Sequence, residues 1–388
     1  MANVKLSNVI RRAQTKVDKD DTDLVFYVGG EHIESENIRV HSRGIIAEST
    51  IGPMFYYGFK AGDFLLVSRN PHLKKAGLVD FDGICSEKTF VLETANSDVL
   101  LPEFLPFVLQ NERFWDYAYR HRHGSTNTFI NWSTLANYEF ELPDLETQRK
   151  LAEVLWSIND TMEAYKNLIS ATDELVKSQF MEQFGDATTN PKGLPTALIR
   201  DVAECYAGAT PSTKVAAYWD DATIPWMSSG EVHNGRVSAT EKKISQAGYD
   251  SCSTKMVPAN SVVIALAGQG KTRGTVAITE IELCTNQSLC CIIPNSSVMS
   301  DYLYYHLKLR YEEMRNLAGI AEGRGGLNLK LIQGIRILVP SKADQEEFIA
   351  FARQSDKSKF AIQCCSNLNL WSSLETLLIM YMGILSPH

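Results

Sequence analysis

The sequence predicts an α+β molecule made of two copies of one unit, in which two pseudo-symmetric globular domains are separated by two long antiparallel coiled-coil helices. Three observations predict it. Pro143-Asp144-Leu145-Glu146-Thr147-Gln148 returns as Pro340-Ser341-Lys342-Ala343-Asp344-Gln345, 197 positions further on. Three other blocks return at offsets of 197 or 198: Glu103 to Leu109 as Asp301 to Leu307, Asn131 to Leu135 as Asn328 to Ile332, and Lys60 to Leu66 as Pro258 to Ile264. Chance similarities would scatter, and so long a period is no solenoid. Finally, each copy mixes short apolar runs with turn clusters and then passes into a stretch of heptad-spaced apolar residues.

In the first domain, 1–142, strands are expected at Leu24 to Val28, Phe64 to Val67 and Thr89 to Leu92, punctuated by Val28-Gly29-Gly30 and Arg69-Asn70-Pro71. Glu103 to Arg120 reads as one helix, with Phe104, Phe107, Val108, Phe114 and Tyr117 near one face. The first long helix, 143–185, follows Pro143. Asp144 can cap it, Glu146 sits in its first turn, and Gly185 ends it. Its seam is Leu151, Leu155, Ile158, Met162, Tyr165, Ile169, Thr172 and Val176. The second domain, 190–339, repeats the pattern with strands at Ile224 to Met227, Ser261 to Leu266 and Leu289 to Ile293, then a helix from Asp301 to about Leu317. The second long helix, 340–388, opens on a Ser341-x-x-Asp344 capping box and carries Trp371, Leu374, Leu378, Tyr381 and Leu385. Each long helix would span roughly 60 Å at about 1.5 Å per residue. A lone helix of this kind needs a partner, and two at equivalent positions predict packing within one chain rather than a homodimer.

The 388 residues are 44% hydrophobic and 22% charged, which suits more than one ordinary core and excludes disorder. No signal-like segment or membrane-length apolar run is present. Eight cysteines without CxxC spacing fit neither a zinc site nor a disulfide framework, so reduced thiols in a cytoplasmic protein are expected. A net charge of −8 excludes an all-over basic coat but not local basic surfaces for DNA.

A Pro-x-x-x-x-Gln turn opening a long helix in both halves resembles the specificity subunit of type I restriction–modification enzymes. The second half carries the resemblance best, in order: Gly208-Ala209-Thr210-Pro211-Ser212, Tyr218-Trp219, Ile224 to Val232, Gly268 to Ile278, Cys284-Thr285-Asn286-Gln287-Ser288 and Asp301 to Tyr305. The first half matches loosely, with Val17-Asp18-Lys19-Asp20 and Ser86-Glu87-Lys88 where the second has Gly-Ala-Thr-Pro and Thr-Asn-Gln. The resemblance implies a subunit without its own active site, whose two domains each read one half of a split double-stranded DNA target. Its helices would dock methyltransferase subunits, with the restriction (motor) subunits joining through them. S-adenosylmethionine, ATP and Mg would then sit on those partners, and this chain would bind no cofactor or metal.

Enzyme signatures are weaker. Ala265 to Thr272 fits a loose phosphate-binding loop, but the chemistry needs a helix starting at Lys271, whereas Arg273-Gly274-Thr275-Val276-Ala277-Ile278 reads as turn and strand. An NTPase using Gly270-Lys271-Thr272 is therefore the alternative, together with a purely structural coiled-coil adaptor. Asn70-Pro71-His72-Leu73 lacks the second proline and the aromatic of an adenine methyltransferase loop. Glu241-Lys242-Lys243 has a nuclease-like spacing and reads as a solvated face; His121-Arg122-His123 lacks a nearby carboxylate for a metal.

Candidate DNA contacts are a basic helix end running into a polar loop, Arg113, Arg120, His121, Arg122, His123, Ser125, Thr126 and Asn127, with Arg69, Asn70, Lys74 and Lys75 as a second group. In the second half they are Lys214, Ser228, Ser229, Arg236, Gln269, Lys271, Thr272, Arg273, Arg315 and Arg324. Arginine can hold phosphates or fork onto guanine, and asparagine or glutamine can read adenine.

Overall fold

The computed structural model describes residues 2–268, 270–317 and 326–367, with side chains to 360. Two compact units emerge, Met1–Tyr165 and Lys166–Cys365.

In the first unit the N-terminal strand Ala2–Lys5 pairs antiparallel with Glu139–Leu142, the strand that precedes the long helix. A four-stranded sheet follows in the order Ile10–Ala13, Thr89–Thr94, Phe64–Val67, Ala76–Leu78. A second sheet runs Gly44–Ile45, Phe26–Val28, Gly83–Ser86, Phe55–Phe59, with Phe26–Val28 and Gly83–Ser86 parallel. The second unit repeats the plan. Thr196–Leu198 pairs with Arg336–Leu338. The main sheet runs Ala203–Ala207, Leu289–Pro294, Val262–Ala265, Val276–Thr279, Arg236–Val237. In the smaller sheet Ile224–Met227 lies between Lys242–Ile244 and Cys284–Thr285, parallel to the latter. Thus even the parallel pair recurs at its equivalent place.

The central strands are buried on both faces. Phe64, Leu65, Leu66 and Val262 to Ala265 are all fully covered, which is why they read as unbroken apolar runs rather than alternating ones.

The expected helices after these sheets are each broken in two. The first is Leu105–Leu109 then Glu112–Arg120, and Asn111 caps the second piece by accepting a bond from the Arg113 amide. In the other copy the pieces are Ser300–Lys308 and Tyr311–Leu317. The apolar face continues across both breaks, so periodicity alone merges the pieces.

The Pro-x-x-x-x-Gln turn has a physical reason. Gln148 is fully buried; its Oε1 accepts from the Leu101 amide (2.9 Å), and its Nε2 donates to the Val99 and Pro143 carbonyls (2.8 Å each). Gln345 does the same with the Met299 amide (2.8 Å) and the Ser297 and Pro340 carbonyls (3.1 and 3.0 Å). Each glutamine ties the start of a long helix to the loop before the domain's own helix.

The first long helix runs Leu145–Phe184 without interruption. Asp144 caps it through the Thr147 amide (2.9 Å), a bond that with the Thr147 hydroxyl holds the carboxyl below its usual range. Gly185 closes it at φ +80. The expected seam is corrected at its ends. Leu151 and Leu155 are buried, with Ile158 partly covered, against the first unit's own core of Phe104, Phe107 and Leu142. Val176, Phe180 and Phe184 enter the core of the second unit instead. Met162, Tyr165 and Ile169, between them, are half-buried.

The second long helix is described as Lys342–Asn367. Gln183 Nε2 donates to the Asp344 carbonyl (3.2 Å) and Lys359 Nζ meets Asp173 Oδ2 (2.5 Å), so the two helices run antiparallel there. Phe348 fills the contact against Phe180 and Phe184. Trp371, Leu374, Leu378 and Tyr381 lie outside the described residues. Among those described, no helix is long and apolar enough to cross a membrane.

Candidate nucleic-acid interface

Two loops of the first unit, far apart in sequence, meet at one edge. One follows the strand Phe64–Val67, the other the helix Glu112–Arg120. His123 and Phe129 exchange both backbone hydrogen bonds (2.7 and 2.9 Å), closing a hairpin over Gly124 to Thr128. That hairpin is stitched to the first loop, because the Asn70 amide donates to the Thr128 carbonyl (2.7 Å) and the Ile130 amide to the Ser68 carbonyl (2.9 Å). Gly124 stands at φ +84, where a Cβ would meet the Asn127 carbonyl at 3.0 Å, so the turn needs glycine. Arg69, Arg120, His121, His123, Ser125, Thr126 and Asn127 are exposed on this edge, beside a Phe129 ring that is 39% exposed. Arg122 is half-buried, its guanidinium over the Tyr119 ring (3.7 Å) and donating to the Tyr119 carbonyl. His121 lies over Tyr117 with ring centroids 4.1 Å apart.

Two cations of this group are engaged elsewhere. Lys74, at φ +48, is held between Glu36 (3.0 Å) and Glu112. Lys75 donates to the Gly30 carbonyl (2.6 Å). Arg113 stays exposed and lines a cavity with Asn111, Tyr138 and Glu139. Sequence position gave no sign that Glu36 and Glu112, from distant segments, would engage Lys74.

The second unit builds the corresponding edge. Here the loop after Val262–Ala265 is the glycine-rich hairpin, and no helix begins at Lys271; Val276–Thr279 follows as an antiparallel strand. A phosphate-binding loop needs that helix N-terminus, so the NTPase alternative loses its geometry. The hairpin is held firmly. The Tyr311 hydroxyl donates to the Lys271 carbonyl (2.8 Å), and His233 Nε2 lies 3.1 Å from the Thr272 hydroxyl. Gly274 packs on Met314 and Arg315, and Gly326 approaches Leu266 so closely that a Cβ would stand 2.9 Å from its carbonyl oxygen. Lys271 is exposed, with Thr272, Arg273 and Arg315 half-buried beside it; Gln269 and Arg324 lie outside the described residues.

The motifs of the family resemblance also converge. Gly208 passes so near Thr285 that a Cβ would lie 2.1 Å from the Thr285 carbonyl oxygen. Thr210 hydrogen-bonds Gln287, and the Trp226 indole donates to the Ala209 carbonyl (3.1 Å). Lys214, exposed, is carried on the same loop. Two expected contacts are corrected. Ser228 caps the short helix Ser229–Asn234 in a capping box with buried Glu231. Arg236 is pinned on Asp301 (2.6 Å), which Arg353 also clasps through two nitrogens (3.1 and 2.7 Å). Burial would raise the Asp301 carboxyl, but the two guanidiniums outweigh it and hold it below its usual range.

Among the described residues no three His, Cys, Asp or Glu side chains gather as metal ligands. Cys85, Cys284, Cys290 and Cys291 are buried free thiols, and burial pushes the Cys85 and Cys291 thiols up to about 12.

What emerges is a tandem of two like α+β units, each presenting a two-loop edge and each seated on a long helix. The chain belongs to the family of the type I restriction modification DNA specificity domain, whose family model matches it twice, at residues 11–171 and 191–363. Among its relatives, the MjaIX specificity subunit of Methanocaldococcus jannaschii is 28% identical over 183 residues, 45% of this chain and 40% of that protein. The HindI specificity subunit of Haemophilus influenzae is 22% identical over 361 residues, 73% of this chain and 78% of that one. The EcoR124I/EcoR124II specificity subunit of Escherichia coli is 23% identical over 158 residues, so the chain spans about two fifths of the length of that relative (39%) and of the first (40%). In fold it resembles the S subunit of M. genitalium (TM-score 0.58, 13% identity, 100% of this chain and 96% of the other). A chain from a structural study of type I R-M complex assembly is similar too (TM-score 0.50, 18% identity, 98% and 96%).

Proposed function

We infer that this chain is the DNA-reading, non-catalytic subunit of a type I restriction–modification complex, with each unit contacting one part of a split duplex target. The observation that carries this reading is the repeated edge: in both units the loop after the central strand lies against the segment that follows the domain's second helix, and both edges carry exposed basic and polar side chains. Rigid backbone ties beneath exposed Arg, Asn, Thr and Lys suit base and phosphate contact. In the first unit the contacts are Arg69, Asn70 and the hairpin Ser125 to Asn127; in the second they are Lys271 to Arg273, Lys214 and Arg315. The chain supplies no cofactor chemistry of its own; methyltransferase subunits on the long helices bring S-adenosylmethionine, and restriction subunits bring ATP and Mg, in the cytoplasm.

The test is methylome sequencing of cells expressing this chain with its methyltransferase partner. A two-part methylated motif is expected, and exchanging residues 1–140 for those of another specificity subunit should alter one part alone. ATP turnover by the purified chain, abolished by Lys271→Ala, would refute the reading in favour of an NTPase. Absence of any specific duplex binding, even with partners, would leave a coiled-coil adaptor.

A further inference from the structure

One wall of the second unit carries a basic groove that the two-loop edge does not account for. Its volume is about 1080 Å³, and it runs from the glycine-rich hairpin at Lys271, past Lys308 and Tyr304, to Lys357 and Phe360 on the second long helix. Six lysine and arginine side chains line it against two carboxylates, in a chain whose net charge is −8. Both carboxylates have local partners. Asp356 accepts from the Tyr305 hydroxyl (2.5 Å), and Glu280 stands 3.9 Å from Arg236.

The cations sort into two kinds. Arg236 and Arg353 are spent on Asp301, and Lys359 on Asp173. Lys271, Lys308 and Lys357 have no carboxylate partner among the described residues. Lys308 lies only over the Tyr304 and Tyr305 rings, 5.5 and 5.9 Å from their centroids. Ammonium groups without carboxylate partners, carried on the hairpin, the domain's helix and the long helix in turn, suit a ligand with repeated single negative charges rather than one compact anion. Lys271 belongs to both the groove and the glycine-rich hairpin, so the groove is continuous with the edge.

We propose that this groove is a phosphodiester track: Lys271, Lys308 and Lys357 hold successive backbone phosphates of the duplex beside the stretch the second unit reads. The proposal rests on the DNA-reading function inferred above. It adds a sequence-independent grip outside the reading loops, made by residues of the domain's helix and of the long helix.

The test is the salt dependence of duplex binding by the full chain with its methyltransferase subunits, comparing wild type with the double variant Lys308→Gln, Lys357→Gln. Each lost phosphate contact lowers the slope of log K against log [salt] by about 0.9, so the double variant should lose about 1.8. Target and unrelated duplexes should weaken by the same factor, the methylated motif should not change, and Lys→Arg at both positions should retain the slope. An unchanged slope with intact specific binding would overturn the groove and leave the DNA-reading function standing. No duplex binding by the wild-type complex would overturn both. Loss of inorganic phosphate or nucleotide binding in the variant, with duplex binding untouched, would reassign the groove to a small anion. Matching thermal melts of variant and wild type exclude a folding defect as the source of the change.

Discussion

Replacing Gln148 by leucine should loosen the whole first unit, because one side chain satisfies three backbone groups there. The volume is nearly conserved, so the cost comes from hydrogen bonding rather than from a cavity. Of the three groups, the Val99 carbonyl belongs to a residue 39% exposed and can turn to water. The Leu101 amide and the Pro143 carbonyl are buried and cannot. A buried polar group left alone costs about 1–3 kcal/mol, so the two together should cost roughly 3 kcal/mol, a large share of the stability of an ordinary domain. Global unfolding of a two-unit chain is not two-state, so the readout should be local. Amide exchange in the strand Thr89–Thr94 should accelerate about 100-fold, whereas that of Leu289–Pro294, in the other unit, should not move. Gln148→Glu separates the two halves of the interaction. It keeps the acceptor for Leu101 but sets a carboxylate against two carbonyls, so its defect should deepen as pH rises through the carboxyl range. Protection within a few-fold of wild type in Gln148→Leu would refute the claim that this glutamine anchors the helix to the domain.

Three further outcomes follow from the same structure. His306 is fully buried; burial above all, with Arg310 nearby, pushes its imidazole down to about 3, while its Nε2 accepts from the Leu338 amide (3.1 Å). Below its unfolded pKa of about 6.5 only the unfolded chain takes up that proton, so stability is full above this pH and falls by about 2 kcal/mol on going down to pH 5; urea midpoints against pH should show the slope, and His306→Leu should flatten it. Gly208→Ala would place a methyl group 2.1 Å from the Thr285 carbonyl oxygen and should displace the Gly208 to Pro211 loop, exposing the Ala209 amide to exchange and weakening specific binding, with the first part of the methylated motif unchanged. Arg236→Ala removes one of two guanidiniums on the buried Asp301 carboxylate and should lower the stability of the second unit by about 2 kcal/mol, below the 3–5 kcal/mol of a fully broken buried pair because Arg353 remains; its salt slope for DNA should stay that of wild type, in contrast to Lys271→Ala.

Much of the scaffold is legible in the sequence because local chemistry dictates it. Asp144 and Gly185 bracket the long helix through a side-chain cap and a positive φ, both short-range events. The central strands are apolar throughout because both faces are covered. The helix breaks at Gln110–Asn111 and Leu309–Arg310 are invisible to periodicity, although the Asn111-Glu112 pair is a cap signal that could have marked the first. The site is legible more coarsely. Loops at Arg69, Gly124 and Lys271 are readable as exposed and basic or polar, but which cations stay available is set by partners remote in sequence. Arg236 finds Asp301 at a separation of 65 residues and Lys74 finds Glu112 at 38, and no spacing rule contains those distances.

The two units also show what duplication keeps and what it releases. Gln148 and Gln345 hold the same three kinds of backbone partner, and both units pair the strand before the long helix with the strand at the domain's own start. These ties fix how each domain's sheets meet its helix, and a change in one would misplace every loop above it. The loops themselves differ freely. A left-handed Asn70 and a short helix Pro71–Leu73 stand in one unit where glycines at φ +142, +62 and +84 stand in the other. Even the core tolerates divergence: Phe104 and Val108 of the first unit become Tyr302 and His306 in the second, where the imidazole Nε2 accepts from the Leu338 amide while the buried Tyr302 hydroxyl and His306 Nδ1 have no partner among the described residues. On the proposed function, two surfaces that respond to different base sequences would need this division, with hydrogen bonds of the frame held constant and side chains at the edge left to vary. The cost of altering a frame residue is therefore measured in stability, as for Gln148→Leu, and that of altering an edge residue in DNA binding, as for Lys271→Ala.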